Sequence, residues 1–249
     1  MTVHFIGAGP GAADLVTLRA ARLVESSPVC LYAGSLVPAE LVAMCPPGAR
    51  VIDTARMTLE DIVEEMVQAH RADLDVARLH SGDPSIYSAV AEQARRLDAA
   101  GVDYRIVPGV PAFAAAAASL GRELTVPGVS QTVVLTRVST LSTDMPDGED
   151  LPTLAQSGAT MVVHLGARRI EQIVDELTPS YGADCPAAVV AFASRPDEIV
   201  LRGTLSTIAA LVHEAGVLKT AVVVVGRVLS AEGFPDSFLY SAARRRLDH

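Results

Sequence analysis

The sequence has little positive charge and almost no lysine. Its 249 residues include 20 basic and 29 acidic side chains, for a formal net charge of −9, and Lys219 is the single lysine. Nucleic-acid binding requires a basic face that neutralises phosphates, so this balance argues against DNA or RNA as a partner. Cationic recognition depends on arginine, which suits bidentate carboxylate binding, although a compositional bias towards arginine and alanine explains the same count.

Cysteines and long apolar runs are scarce as well. Cys30, Cys45 and Cys185 are odd in number and widely spaced, without a CxxC pair, so we expect neither a disulfide framework nor a metal site. The longest apolar runs, such as 221–225, fall far short of the roughly 20 residues that a membrane span needs. No basic segment precedes the strand predicted from Val3, so we expect no signal peptide and a cytoplasmic location.

The sequence does contain an alternation of apolar β-rich runs with helical patterns, which predicts an α/β fold. The predicted strands are 3–8, 29–33, 51–53, 76–80, 104–107, 132–136, 161–165, 187–192, 199–202 and 221–225. The predicted helices include one capped by Thr58, one beginning at Pro84, and those at 167–177 and 206–214. We expect two α/β domains, 1–115 and 116–249, with a ligand cleft between them and a mixed sheet in the second.

A glycine-rich turn follows the first strand in HFIGAGPGAADLVT, residues 4–17. Gly7, Gly9 and Ala12 satisfy the G-x-G-x-x-G/A pattern of dinucleotide-binding proteins. Such a site needs a carboxylate at the end of the second strand, and the segment CLYAGSLV has none. Pro10 moreover has no N–H to offer a phosphate. An NAD-dependent oxidoreductase is therefore disfavoured, and a plain strand-to-helix turn stays an alternative for the loop alone.

Two further strands end in small residues. In HSGDPSIY, residues 80–87, Asp83 reads as a helix N-cap with Pro84 as the first helical residue, or as a group facing a ligand. In IVPGVPAFAAAAA, residues 106–118, small side chains permit a close approach of a ligand, although a buried alanine-rich helix looks the same. Three strand ends of this kind predict a binding site poor in side chains.

Together, G-x-G-P-G, S-G-D-P-x-I-Y, V-P-G-V and the later strand-hairpin half resemble the tetrapyrrole (corrin/porphyrin) S-adenosylmethionine methyltransferases over nearly the whole chain. Within that family LYAGSLVPAEL, LHSGDPSIYSAVAEQ, GRELTVPGVSQTVVLTR and the tail PDSFLY are similar to the precorrin-4 C11-methyltransferases. The resemblance implies the tetrapyrrole methylase fold (class III), a homodimer, and methyl transfer from S-adenosylmethionine to C11 of precorrin-4. The products are then precorrin-5 and S-adenosylhomocysteine.

Other functions stay open at this point. Cobalt-precorrin-4 is an alternative substrate that the residues do not separate from the metal-free one. Uroporphyrinogen-III methylation is less favoured, because those relatives lack the 32–36 segment YAGSL. A binding module without turnover is a further class.

The resemblance also implies which residues contact the cofactor, some of them through backbone groups because the family's side chains are replaced here. They are Pro10, Ser81, Gly82, Asp83, Ile86, Pro111, Ala112, Leu165, Ala193, Thr220 and Ala221.

The tetrapyrrole carries several carboxylates, so arginines are expected in its site. Arg137, Arg122 and Arg56 are the candidates, each with a solvated surface arginine as the alternative. His164, Tyr32 and Ser35 are further substrate candidates, with structural roles as the alternatives for His164 and Tyr32. Methyl transfer depends mainly on alignment, so no general base is assigned.

Overall fold

The computed structural model describes residues 1–139 and 144–237, in which ten strands form two five-stranded sheets. The chain divides into two compact units, Met1–Ala115 and Ala116–His249. Each sheet belongs to one unit.

The sheet of the first unit is parallel throughout, with strand order β3-β2-β4-β1-β5. Its strands are β1 (Val3–Gly7), β2 (Val29–Tyr32), β3 (Arg50–Asp53), β4 (Val76–His80) and β5 (Tyr104–Val107). β4 and β1 occupy central positions, and in their register Gly7 is the partner of His80. Because all five strands run the same way, their carboxyl ends share one edge, where open α/β sheets bind ligands.

The helices of this unit cover both faces of the sheet. They are α1 (Leu18–Ser26), α2 (Ala39–Val42), α3 (Leu59–Arg71), α4 (Val90–Ala99) and the start of α5 (Ala112–Leu120). One core packs Phe5, Leu31 and Met66 on the side of α3 and α4, and the other packs Ile6 and Leu79 with α1 and α2. The predicted cap Thr58 begins α3, where it forms a capping box with Asp61.

The sheet of the second unit is mixed, with strand order β6-β7-β10-β8-β9. Its strands are β6 (Val133–Arg137), β7 (Thr160–His164), β8 (Pro186–Ala191), β9 (Ile199–Thr204) and β10 (Ala221–Val225). β6 and β7 are parallel, and β10 runs antiparallel to both β7 and β8. β8 and β9 form the predicted antiparallel hairpin, with Ala191 paired to Ile199.

The helices of the second unit are α6 (Leu151–Ala155), α7 (Ile170–Tyr181) and α8 (Leu205–Glu214), with 3-10 turns at Ala167–Arg169 and Arg227–Ser230. A core of buried side chains joins α7 and α8 to the sheet and includes Met161, Ile173 and Ile208. None of the helices in residues 1–139 and 144–237 is long and apolar enough to cross a membrane.

Several predicted boundaries are wrong. Most predicted strands differ from the structure by one or two residues at an end, and the helix predicted at 167–177 begins at Ile170 and ends at Tyr181. The helix predicted from Pro84 begins at Val90, because residues 83–88 form a loop closed by its own side chains. The strands predicted to end at Leu165 and Phe192 stop one residue earlier, at His164 and Ala191. Leu165 and Phe192 have φ values of 56° and 53°, which a strand does not accommodate.

Candidate functional site

Three glycines meet at the carboxyl edge of the first sheet. A Cβ on Gly7 would lie 2.5 Å from the Gly109 Cα, and a Cβ on Gly109 would lie 2.2 Å from the carbonyl oxygen of Gly82. Real Cβ atoms do not approach other atoms so closely, so β1, β4 and β5 end in direct backbone contact. The sequence predicts the small residues, whereas their mutual contact emerges only from the fold.

Backbone hydrogen bonds hold two of these strand ends together. Gly9 N donates to Gly82 O at 3.2 Å, and Gly82 N donates to Gly9 O at 2.7 Å. Buried Pro10 follows directly, and the main chain of Pro111 and Ala112 lies within 4 Å of the position that a Gly82 Cβ would take. We call Gly7, Gly9, Gly82 and Gly109 the glycine edge. The structure thus brings the predicted residues Pro10, Gly82, Pro111 and Ala112 to one place.

Asp83 fastens the loop after β4 to the loop after β5. Its Oδ2 accepts from Gly109 N at 2.8 Å, and its Oδ1 accepts from Ser85 N at 2.8 Å and from the Ser85 hydroxyl. Partial burial opposes ionisation, but the hydrogen bonds from Ser85 and Gly109 outweigh it and hold the pKa of Asp83 below its usual value. The predicted N-cap role of Asp83 is therefore wrong, since its oxygens bind loop groups and α4 begins seven residues later.

The remaining cofactor candidates of the first unit, Ser81 and Ile86, lie on the loop after β4. Ser81 is exposed and Ile86 is half-buried. Tyr87 and Ala89, on the same loop, have φ values of 53° and 52°, in the left-handed region that non-glycine residues rarely adopt. Such conformations cost free energy and cluster at functional sites.

A second group of strained residues lies at one edge of the second sheet. Leu165 follows β7, Phe192 and Ser194 flank Ala193 after β8, and Thr220 precedes β10. Leu165, Phe192, Ser194 and Thr220 all have φ between 53° and 67°. Phe192 N donates to Thr220 O at 2.9 Å, which ties the end of β8 to the start of β10.

The predicted residues Leu165, Ala193, Thr220 and Ala221 therefore share this edge, which we call the strained edge. Leu165 is exposed, Ala193 is buried and Ala221 is half-buried. Of the seven non-glycine residues with positive φ in the described part of the chain, six lie at the strained edge or on the loop after β4. The strain thus marks the same segments that the sequence motifs select.

Glu198 organises the strained edge, and the sequence does not single it out. Its Oε2 accepts from Ser194 N at 2.6 Å and from the Ser119 hydroxyl at 2.7 Å. One carboxylate thus fixes the turn that carries Ala193 against α5. Its only sequence signal is an acidic residue within the predicted hairpin turn, which is common in any turn.

The three candidate arginines lie in different surroundings. Arg137 ends β6, its Cα is paired with that of His164, and its guanidinium donates to the carbonyls of Val138 and Asp144, each at 3.1 Å. Arg56 is exposed in the turn after β3, at the carboxyl edge of the first sheet.

Arg122 lies near the opposite end of the second sheet. It donates to the carbonyl of Ala231 at 3.4 Å, and nearby Leu124 accepts from the hydroxyl of Thr160, where β7 begins. His164, in contrast, ends β7. The structure therefore brings Arg137 and His164 together and leaves Arg122 apart from them.

The other substrate candidates, Tyr32, Ser35 and His164, lie at or directly after the ends of strands. Tyr32 ends β2, is half-buried, and its carbonyl accepts from Thr54 N at 2.7 Å. Ser35 is part of the 3-10 turn Gly34–Leu36, and its side chain lies outside the described part of the structure. His164 is half-buried, and burial lowers the pKa of its imidazole. Of the tail PDSFLY, residues 238–240 also lie outside the described residues.

Comparison with known proteins decides the family. The model of the tetrapyrrole (corrin/porphyrin) methylases matches residues 2–209. The chain belongs to the tetrapyrrole methylases. A curated precorrin-4 C(11)-methyltransferase from Rhodococcus erythropolis is 75% identical over 249 residues, which is 100% of both chains.

Solved structures of tetrapyrrole methylases share the fold. A cobalt precorrin-4 methyltransferase, described as a cobalamin biosynthetic enzyme, matches with a TM-score of 0.89 and 38% identity, over 92% of this chain and 95% of its own. A uroporphyrin-III C-methyltransferase from Thermus thermophilus, complexed with S-adenosylhomocysteine, matches with a TM-score of 0.78 and 29% identity, over 92% and 99% of the two chains. The family and fold implied by the sequence motifs are thereby confirmed.

The glycine edge fits the close approach of a methyl-donor molecule. Its strand ends present backbone rather than side chains, and a single Cβ on Gly7 or Gly109 would collide with that backbone. In the described residues, no group of three or more His, Cys, Asp or Glu side chains is placed to hold a metal ion. The closely packed backbone of the glycine edge suits an organic ligand bound through main-chain groups.

Proposed function

We propose that this chain transfers a methyl group from S-adenosylmethionine to C11 of precorrin-4, giving precorrin-5 and S-adenosylhomocysteine in cobalamin biosynthesis. The observation that carries the proposal is the 75% identity over the full length to a precorrin-4 C(11)-methyltransferase. The 32–36 segment YAGSL, by which the sequence resembles that subgroup, lies at the carboxyl edge of the first sheet.

S-adenosylmethionine is the proposed methyl donor. The relative complexed with S-adenosylhomocysteine supports this choice. We propose that the donor contacts the predicted residues at the glycine edge and on the loop after β4, and those at the strained edge. These residues are Pro10, Ser81, Gly82, Asp83, Ile86, Pro111, Ala112, Leu165, Ala193, Thr220 and Ala221.

The sulfonium of S-adenosylmethionine supplies an activated methyl group, and the reduced tetrapyrrole supplies a nucleophilic carbon. The work left to the protein is alignment, which is worth an effective molarity of roughly 10⁵ to 10⁸ M in well-oriented reactions. Asp83 serves alignment because it holds the loops after β4 and β5 together. Glu198 does the same for the turn that carries Ala193. We assign no general base.

The carboxylates of the tetrapyrrole are proposed to meet arginine. Arg137 is favoured, since its backbone is paired with that of His164 beside the strained edge. Arg56 is exposed at the edge where Tyr32 ends its strand, and both are proposed to contact substrate together with Ser35. Arg122 is retained as a weaker candidate, because it lies by the other end of β7.

A cobalt-containing precorrin-4 is the second candidate substrate. The solved cobalt precorrin-4 methyltransferase with a TM-score of 0.89 favours it, although its identity of 38% is about half that of the precorrin-4 relative. The test presents precorrin-4, cobalt-precorrin-4 and uroporphyrinogen-III to the chain with S-adenosylmethionine and records product mass. We expect one added methyl group on precorrin-4 at the highest kcat/KM. Faster methylation of either other substrate, or none on all three, would reject the proposal.

Asp83 offers a sharper test of the donor site, with Asp150 as matched control. Asp150 likewise accepts from the N–H and the hydroxyl of one residue, Thr153, each at 2.9 Å, but it does so as the cap of α6. Asp83→Ala is expected to weaken S-adenosylmethionine binding by about tenfold, the loss typical of one charge-assisted hydrogen bond. Asp150→Ala should lower Tm and leave that affinity within about twofold. Equal affinities in the two variants, measured by calorimetry, would reject the role of Asp83.

The family resemblance further implies a homodimer in the cytoplasm, and we include both in the proposal. Light scattering on the purified chain tests the first, with a mass near twice 26.0 kDa expected. A mass of one chain would reject it.

A further inference from the structure

A buried arginine lies in the central strand of the first sheet, where apolar residues are the rule. Arg78 is the middle residue of β4, in the run Val76–His80, and only 5% of its surface is exposed. Burying a charge is costly unless hydrogen bonds replace the lost water. Burial lowers the pKa of Arg78 to about 10, so the guanidinium stays protonated at neutral pH. A charge retained in such a place needs a structural or functional explanation.

The two acceptors of Arg78 lie on different elements. Its Nη1 donates to the Thr54 hydroxyl at 2.9 Å, directly after β3, and its Nε donates to Gln93 Oε1 at 3.1 Å, in α4. Both acceptors are neutral, and in the part of the chain that the structure describes Arg78 makes no ion pair. The guanidinium therefore acts as a two-armed hydrogen-bond donor rather than as half of a salt bridge.

The first arm, the hydrogen bond from Arg78 to Thr54, leads to the 32–36 segment, by which the sequence resembles the precorrin-4 C11-methyltransferases. Thr54 donates through its hydroxyl to the carbonyl of Tyr32 at 2.9 Å and through its N–H to the same oxygen at 2.7 Å. Asp53, beside Thr54, accepts from Gly34 N at 2.9 Å. Arg78 is thus one hydrogen-bonded residue away from the 32–36 segment, for which the proposed function assigns contacts to the tetrapyrrole.

The second arm leads to the loop after β4. Gln93, only 2% exposed, donates through Nε2 to the carbonyl of Ala89 at 3.1 Å. Ala89 has a φ of 52° and ends the loop that begins at Ser81 and carries Asp83. That strained conformation persists only if its surroundings hold it. The hydrogen bonds from Arg78 to Gln93 and from Gln93 to the Ala89 carbonyl contribute to holding it.

We propose that Arg78 is a positioning residue, which through Thr54 sets the segment that seats the tetrapyrrole and through Gln93 sets the loop that binds the methyl donor. Arg78 itself touches neither molecule. The inference rests on the proposed function, because that function assigns the two segments their ligands. Each arm predicts its own kinetic effect, which a residue that only adds stability would not produce.

Single substitutions in the full chain remove the two hydrogen bonds of Arg78 one at a time. Thr54→Val removes the first arm and is expected to raise KM for precorrin-4 by about tenfold, with the Kd for S-adenosylmethionine within twofold of wild type. Gln93→Leu removes the second arm and should raise that Kd by about tenfold, with the smaller effect on KM. Arg78→Lys keeps the charge but not the two-armed geometry, so both constants should rise.

Tyr181→Phe is the matched control. It deletes a partly buried hydrogen bond, from the Tyr181 hydroxyl to the carbonyl of Ala159, in the second unit. It should lower Tm like the other variants and leave KM and Kd unchanged. If Thr54→Val and Gln93→Leu lower Tm but leave both constants at wild-type values, or raise both equally, the positioning role is overturned.

Hydrogen exchange separates this inference from the proposed function. Arg78→Lys should speed amide exchange at least fivefold in both 33–37 and 83–89, relative to Tyr181→Phe, whether or not the wild type methylates precorrin-4. Unchanged exchange in either segment overturns the inference. An inactive wild type with the expected exchange pattern overturns the proposed function and leaves the coupling of the two segments supported.

Discussion

His80 should make the stability of the protein fall as pH drops from 8 to 5. It ends β4, is 6% exposed, and packs against Phe5 with the ring centroids 5.7 Å apart. Within the described residues, its Nε2 has no hydrogen-bond partner. Burial first, and then the nearby Arg78, lower the pKa of His80 to about 3, against a slight opposing effect of the Ser88 backbone. The folded protein therefore keeps this imidazole neutral.

The size of the effect follows from proton linkage. The unfolded chain protonates His80 with a pKa of 6.5, whereas the folded chain does so only near pH 3. A group whose pKa is lower in the folded state stabilises the protein above its unfolded pKa, and this stability is lost as pH falls towards the folded pKa. His80 alone should therefore remove about 2 kcal/mol of unfolding free energy between pH 8 and pH 5. The window of loss is pH 6.5 down to about 3.

The assay compares urea unfolding of the wild type and His80→Gln at pH 8 and pH 5 by circular dichroism, since the chain has no tryptophan. The wild type should lose about 2 kcal/mol more than the variant over this interval. His4 and His164, whose pKa values burial also lowers, remain in both proteins and cancel in the difference. Val29→Ala, in the same core at the far end of β2, should be less stable but keep the wild-type pH dependence. An identical pH dependence in wild type and His80→Gln would show that the folded protein does not keep the His80 imidazole neutral.

Two further changes test the two edges. Gly109→Ala should disrupt the glycine edge and abolish binding of S-adenosylmethionine, because the new Cβ would lie 2.2 Å from Gly82 O. If calorimetry finds wild-type affinity for S-adenosylmethionine in this variant, the close packing of the glycine edge is contradicted. Glu198→Ala removes the carboxylate that accepts from Ser194 N and from the Ser119 hydroxyl, so S-adenosylmethionine affinity should fall about tenfold. Ser119→Ala keeps the bond from Ser194 N to Glu198 and should cost less. If Glu198→Ala, Ser119→Ala and the wild type bind S-adenosylmethionine equally well, Glu198 has no role in donor binding.

Much of the fold was predictable from local pattern. Strands 76–80, 104–107 and 221–225 match the structure residue for residue, because apolar β-rich runs bounded by glycine or polar residues leave few alternatives. The capping box at Thr58 is likewise local, since it needs only residues three apart. The family followed from the glycine motifs together with the later strand-hairpin half, a resemblance that covers nearly the whole chain.

What the sequence did not predict depends on contacts between distant segments. Asp83 looks like a helix cap, yet its carboxylate reaches Gly109, which lies 26 residues away in the chain. Leu165 continues an apolar run, but its positive φ arises where the chain leaves β7 beside β10. Arg78 is visible as a charge in a strand, but its two arms appear only when β3 and α4 are in place. Pairings of this kind are set by tertiary structure, which overrides local preference.

The position of the transferred methyl group is the most direct measure of the proposed reaction. The chain is incubated with precorrin-4 and S-adenosylmethionine labelled with carbon-13 in its methyl group, and the product is analysed by NMR. We expect a single new labelled methyl resonance coupled to C11. A labelled methyl group at any other carbon would contradict the proposed reaction, as would an unlabelled product.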